Sequence, residues 1–367
     1  MTPGTHDGVD HIDVDTVSDL AVGASFLGTG GGGDPLIGEL MARAAIAEHG
    51  PVTVVAPDVL DDAATVVPFA MIGAPTVILE RIPGGHELDL ALDEMTRLLD
   101  RPIDATMPIE AGGINSTIPL VLAARRGLPV VDADGMGRAF PEVQMVTLGA
   151  GGATAWPLTL VDENGTTVSV TDAPDNAAAE RTARHIVVSM GGSAIIGHYA
   201  VDGAHVRAWA VPRTVTLAVH IGRALRDVAA HGGDAVEQLA AACGARRIFT
   251  GKVVDVDRRT TEGFARGRIE IHGLDDDAGS RMTVDVQNEN LVATRDDTVV
   301  ATVPDLITLV DTDTGRPLTT EGTRFGVRVH VMATPASDVW WRPQALPLVA
   351  PAAFGYDIEP ARLEVTS

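Results

Sequence analysis

Three glycine-containing loops concentrate the side chains of this sequence that can do chemistry. The first is Gly28-Thr29-Gly30-Gly31-Gly32-Gly33-Asp34-Pro35. A backbone with so few side chains lets a ligand approach closely, and amides at the start of the helix that follows can hold an anion or oxyanion. Gly30, Gly31, Gly32, Gly33 and Asp34 are therefore candidate substrate contacts. Asp34 can also cap the helix opened by Pro35. No Lys-Ser/Thr follows, so the run is not a Walker-type phosphate loop, and it fits G-x-G-x-x-G poorly.

The second loop, Pro108-Ile109-Glu110-Ala111-Gly112-Gly113-Ile114-Asn115-Ser116, places a carboxylate near an amide and a hydroxyl. Glu110 can activate water, while Asn115 or Ser116 can orient a carbonyl or ring nitrogen or cap a helix. The third runs from Asp132 to Glu142 and holds Asp132, Asp134, Arg138 and Glu142. An Asp-x-Asp pair can split its pKa values for acid and base work or offer oxygens to a divalent ion such as zinc, with Glu142 as a further ligand. Arg138 can grip a substrate carboxylate through its fork. Glu110, Asp132 and Asp134 are the expected catalytic carboxylates. Gln287-Asn288-Glu289-Asn290 lies between two strands, and Asn288 is a candidate ligand contact from the second half of the chain. Lys252, Arg258, Arg259 and Arg266 are cations available to an acidic substrate. His185 and His198 lack any paired metal-ligand spacing. Cys243 reads as a small core residue, and no G-x-S-x-G elbow exists.

Positioning these loops requires a strand–loop–helix rhythm, and the N-terminal half supplies it. Helical periodicity covers Leu36 to His49, Leu88 to Leu99 and Ile118 to Arg126. Strands are predicted at 52–55, 64–69, 105–110 and 128–132, with residues 1–12 a loose tail. Such an alternation predicts an α/β layer whose loops at the strand ends form the ligand crevice. Asp162-Glu163-Asn164-Gly165 marks a hairpin. Helices follow over 175–190 and 214–230, and from Ile248 onward alternating apolar residues and short turns predict an antiparallel β region. The expected organisation is an α/β N-terminal domain over 13–167 and a β-rich α+β C-terminal domain over 168–360.

Length and composition bound the rest. A chain of 367 residues with 45% hydrophobic content can bury two cores. A formal charge of −23 without a basic stripe argues against a nucleic-acid partner. The single cysteine excludes an intramolecular disulfide and a cysteine-based zinc cage. No apolar run has the length of a membrane span, and the acidic first twenty residues do not read as a secretory signal, so a cytoplasmic location is expected.

Taken together, several strings resemble one bacterial family: Phe26 to Pro35, Met71-Ile72-Gly73-Ala74-Pro75, Pro108 to Ser116, Val131 to Gln144 and Met190-Gly191-Gly192-Ser193. Phe249-Thr250-Gly251-Lys252-Val253, Gly263-Phe264-Ala265-Arg266-Gly267, Gln287 to Asn290 and Val303-Pro304-Asp305-Leu306 continue the match. The family is that named for S-methyl thiohydantoin desulfurase, and the likeness runs in order from about Asp13 to Tyr356. It implies two domains and hydrolysis of an S-methylated thiohydantoin ring, releasing methanethiol and leaving a hydantoin. Members often accompany hydantoinase/oxoprolinase-type proteins, which makes such a protein a possible partner. The alternatives are another cyclic amide hydrolase or an accessory subunit of such a system. A homo-oligomer is the expected assembly.

Overall fold

The computed structural model describes residues 8–73, 77, 84–261 and 264–363. Ala74, Pro75 and Gly263 of the family strings lie outside the described residues, as do residues 1–7 of the tail. The part of the tail that is described is not loose. His11–Ile12 is a short strand that pairs antiparallel with Val52–Thr53, because Ile12 is apolar and fully buried.

The α/β layer is built on that pair. Val54–Val55 runs parallel to Val130–Val131, and parallel bridges join Thr106 to Val130 and Val66 to Ala105. The predicted helices form at Pro35–His49, His86–Leu99 and Ile118–Arg126. Asp34 caps the first by accepting from the Leu36 amide at 2.8 Å. The predicted strand over 64–69 divides into Thr65–Val66 and a separate strand, Phe69–Gly73. Phe69–Gly73 belongs to an antiparallel four-stranded sheet, next to Ser193–Gly197, then Leu158–Val161 and Thr167–Val170. Its partner Ser193–Gly197 comes from beyond the predicted domain join, so the two halves of the chain are interleaved here.

Helices Thr16–Leu27 and Thr214–His231 pack even more closely across the same divide. A Cβ at Gly23 would lie 1.8 Å from the Ala218 carbonyl oxygen, and one at Gly222 would lie 1.8 Å from that of Asp19. Only glycine permits this contact, and a single apolar core spans Ile12 to Phe354 as a result. The strand-rich stretch begins at Arg246. Seven antiparallel strands run edge to edge as Thr298–Thr302, Glu289–Arg295, Arg281–Gln287, Phe264–Gly273, Arg246–Thr261, Arg328–Thr334 and Leu306–Asp311. Their alternating inward side chains, Phe249, Ile269, Ile271, Val284 and Val331 among them, form a second core. No helix among the described residues is long and apolar enough to cross a membrane.

Candidate active site

The glycine loop is held by the β-rich half of the molecule. The Thr29 carbonyl accepts from the Asn290 amide at 2.9 Å, and the Gly30 carbonyl accepts from the Thr320 amide at 2.8 Å. On its other side, Gly32 abuts Gly112: a Cβ on Gly32 would come within 2.4 Å of the Gly112 Cα. The Ile114 amide donates to the Gly32 carbonyl at 2.8 Å. Two of the sequence-predicted loops are thereby pressed together, and the turn at Asn288 closes the third side.

A cavity of about 110 Å³ opens at this junction. Gly31, Gly32, Gly33, Glu110, Asn115, Glu142 and Asn288 line it, as expected from the sequence, and so do His198, Arg184, Glu289 and Glu321. Glu110 and Glu289 enter from opposite halves of the chain. A Cβ on Gly112 would meet Glu110 Oε1 at 3.0 Å, and one on Gly31 would meet Glu289 Oε1 at 2.1 Å. At Gly112 the nearer obstacle is the Gly32 Cα at 2.7 Å, and at Gly31 the Glu289 side chain fills the space a Cβ would take.

Both carboxyls are buried and both are driven toward the protonated form. Burial, opposed by the hydrogen bond from Asn115 and aided by the charge of Asp134, pushes Glu110 up to about 7. Burial and then the Glu110 charge push Glu289 well above the ordinary carboxylate range, against the pull of Arg138. Two carboxyls that disfavour each other's charge share protons in split steps, the property needed for an acid and a base in one site. Asn115 fixes Glu110. Its Nδ2 donates to Glu110 Oε1 at 2.8 Å, while its Oδ1 accepts from the Met71 amide at 2.8 Å. Ser116 shapes the loop from within, its Oγ accepting from the Gly112 amide at 3.1 Å.

Other predicted site residues are placed elsewhere. Gly30 and Asp34 do not line the cavity; one is pinned by Thr320 and the other caps a helix. Asp132 serves the start of Thr214–His231, with Oδ1 accepting from the Thr216 amide at 2.9 Å and Oδ2 from its hydroxyl at 2.7 Å. Asp134 sits behind the cavity wall, accepting from the Met136 and Gly137 amides, and reaches Glu110 only through its charge. Asp132 and Asp134 thus have different partners from Glu142, and among the described residues no group of three or more His, Cys, Asp or Glu is arranged to hold a metal ion. Arg138 is fully buried and cannot grip a substrate carboxylate. Its Nε donates to the Ala139 carbonyl at 3.0 Å, Nη1 to that of Asp305 at 2.8 Å, and Nη2 to Thr29 Oγ1 at 2.8 Å and the Asn290 carbonyl at 3.0 Å. The guanidinium at the cavity is instead Arg184, paired with Glu180 at 2.6 Å. Asn288 holds its turn in a left-handed conformation (φ 57°), and its Oδ1 accepts from the Ala265 amide at 2.8 Å. Its neighbour Glu289 lines the cavity.

Asp134 supplies a test of this electrostatic picture. Folding raises its carboxyl from 3.8 to about 7, chiefly through burial. The folded chain therefore holds this proton more tightly, and the stability that results is complete below about pH 4 and lost as pH rises through about 7. Asp134→Asn keeps the accepting oxygen but cannot ionise. Relative to wild type, the variant is expected to gain on the order of 4 kcal/mol between pH 4 and pH 8. Urea unfolding at both pH values measures this, and a pH-independent difference would refute a buried, raised Asp134.

Comparison with known proteins identifies the family and the fold. A family model described as S-Me-THD-like, N-terminal domain, matches residues 15–172, and one described as S-Me-THD-like, C-terminal domain, matches residues 174–363. The architecture is accordingly two-domain. A crystal structure of a protein from Chromobacterium violaceum superposes with a TM-score of 0.80 at 24% identity, covering 97% of this chain and 100% of that one. At that identity the likeness concerns the fold. No curated protein sequence matches the chain.

Proposed function

Starting from a chain that belongs to the S-Me-THD-like family, we propose that it hydrolyses the C–S bond of an S-alkylated thiohydantoin ring, with Glu110 as base and Glu289 as acid. The observation that carries this reading is the pair of buried, proton-retaining carboxyls brought to one small cavity from the two halves of the chain. A cavity on the order of 150 Å³ takes a benzene ring. The smaller, open cavity here suits a five-membered ring.

The chemistry balances with water alone. The ring carbon is doubly bonded to one ring nitrogen, singly bonded to the other and bonded to sulfur. Water adds to it as ionised Glu110 takes one of its protons. Negative charge moves to the ring nitrogen. The C–S bond then breaks as Glu289 delivers its proton to sulfur, releasing the thiol. The hydroxyl proton passes to the ring nitrogen, leaving the hydantoin carbonyl and an N–H. Transfer of the proton from Glu110 to Glu289 resets the site. The wall formed by Gly31, Gly32 and Gly33 brings backbone, not side chain, against the ring.

Incubation with an S-methyl thiohydantoin, scored for free thiol and for hydantoin, tests the proposal. Thiol and hydantoin are expected in equal amounts, with no turnover of the unsubstituted hydantoin. Ring opening of plain hydantoin without thiol release would replace this reading with a cyclic amide hydrolase. The rate should rise with pH through about 7 as Glu110 ionises, and fall at higher pH as Glu289 loses its proton.

A further inference from the structure

His198 has no part in the proton transfers above, yet it lines the same cavity. It follows the strand Ser193–Gly197, and its position is firmly set. The Gly197 backbone lies so close to the Phe69 ring that a Cβ there would approach within 2.6 Å. The His198 amide donates to the Pro68 carbonyl at 3.3 Å. The next residue, Tyr199, is held at φ 48°, a left-handed conformation that a bulky non-glycine residue rarely adopts. Such strain persists where surrounding packing over-determines the backbone, and it gathers at functional sites.

His198 is 2% exposed, and its Nδ1 is sealed in the interior with no hydrogen-bond partner among the described residues. Burial depresses the ring pKa to about 4, so the group is neutral where the enzyme works. A neutral imidazole carries one N–H. Placing it on Nδ1 would bury a donor with no acceptor at hydrogen-bonding geometry, since the Pro68 carbonyl that influences the ring already accepts from the His198 amide, a costly arrangement. Placing it on Nε2 leaves only a lone pair in the sealed position.

We propose that His198 is a catalytic residue of the reaction described above, donating a hydrogen bond from Nε2 to the ring nitrogen on which negative charge develops as water adds. The inference rests on that reaction and extends it. An uncharged donor suits this position because it stabilises charge without surrendering its proton to Glu110 or Glu289, the carboxyls that share the cavity.

The tautomer can be observed without turnover. In wild-type protein labelled with ¹⁵N histidine, with H198Q identifying the resonance, the Nε2–H form is expected, and its signal should shift on addition of hydantoin, the product. An Nδ1–H tautomer would overturn the proposal. Kinetics supply the second arm. H198L, which removes the donor, is expected to lower kcat by about 10²–10³-fold, as loss of one oxyanion-type donor does, while KM stays within a few-fold. H198Q carries an amide N–H near the position of Nε2 and should recover most of that loss. Full kcat in H198L, or H198Q as impaired as H198L with both folded, would refute the assignment. If wild-type protein releases no thiol, the C–S hydrolysis reading falls, and the tautomer and its response to hydantoin still decide the role of His198 as a ligand-facing donor.

Discussion

Replacing Glu289 by glutamine is expected to lower kcat for thiol release by about 10²–10⁴-fold, the range associated with loss of a positioned general acid. The substitution is nearly isosteric. It removes a group whose proton is held by burial and by the Glu110 charge, and it leaves an amide beside Gly31. Because the carboxyl is uncharged over the working range, the fold should tolerate the change, and thermal unfolding should report a midpoint close to wild type. The shape of the pH profile is the stricter test. The alkaline limb belongs to Glu289 and should vanish from the residual activity of E289Q, while the rise through about 7, which belongs to Glu110, remains. E110Q should instead abolish the reaction across the range, since no other carboxyl in the cavity is fixed by Asn115. An alkaline limb that persists in E289Q, or an E110Q enzyme of ordinary activity, would remove these two residues from the chemistry.

Arg138→Met is expected to cause the largest loss of stability, about 3–5 kcal/mol, the usual cost of removing one member of a buried charged network. The guanidinium ties three segments together. It holds Thr29 at the start of the glycine loop, the Asn290 carbonyl beside Glu289, and the Asp305 carbonyl of the second domain, and it stacks 4.5 Å from the Phe140 ring centre. Methionine fills much of the space but satisfies none of those acceptors. Lysine should recover little of the loss, because a point charge cannot serve acceptors spread across a planar fork. Denaturant unfolding of the methionine and lysine variants measures both expectations. A methionine variant within 1 kcal/mol of wild type would show that the network is dispensable to the fold.

Arg138 also illustrates where reading a sequence stops. Its position among Asp132, Asp134 and Glu142 suggested a hand for a substrate carboxylate, since exposed arginines beside acidic loops often serve that purpose. Apart from the adjacent Ala139 carbonyl, its acceptors at Thr29, Asn290 and Asp305 come from residues more than 100 positions away, and no local pattern announces them. Asp132 and Asp134 were equally conspicuous as an acidic pair, but backbone amides and the Thr216 hydroxyl take up both oxygens of Asp132 and Oδ1 of Asp134. Glu289 was inconspicuous because it sits one residue from a turn asparagine in an ordinary strand connection. Its raised pKa arises from burial beneath the glycine loop and from the Glu110 charge, neither of which the local sequence shows.

What the sequence determined by itself is what short-range physics controls. The helices at Ile118–Arg126 and Pro35–His49 follow from apolar spacing and from Asp34 and Pro35 at a helix start, and the hairpin at Asp162 to Gly165 follows from turn chemistry. The glycine run and the loop bearing Glu110 and Asn115 were also legible, because such residues are too unusual together to be mere connections. The tertiary structure alone decided which carboxyls meet. A carboxyl becomes an acid or a base at neutral pH through burial and a neighbouring charge, and both are supplied to Glu110 and Glu289 by residues distant in the chain and adjacent only in the fold.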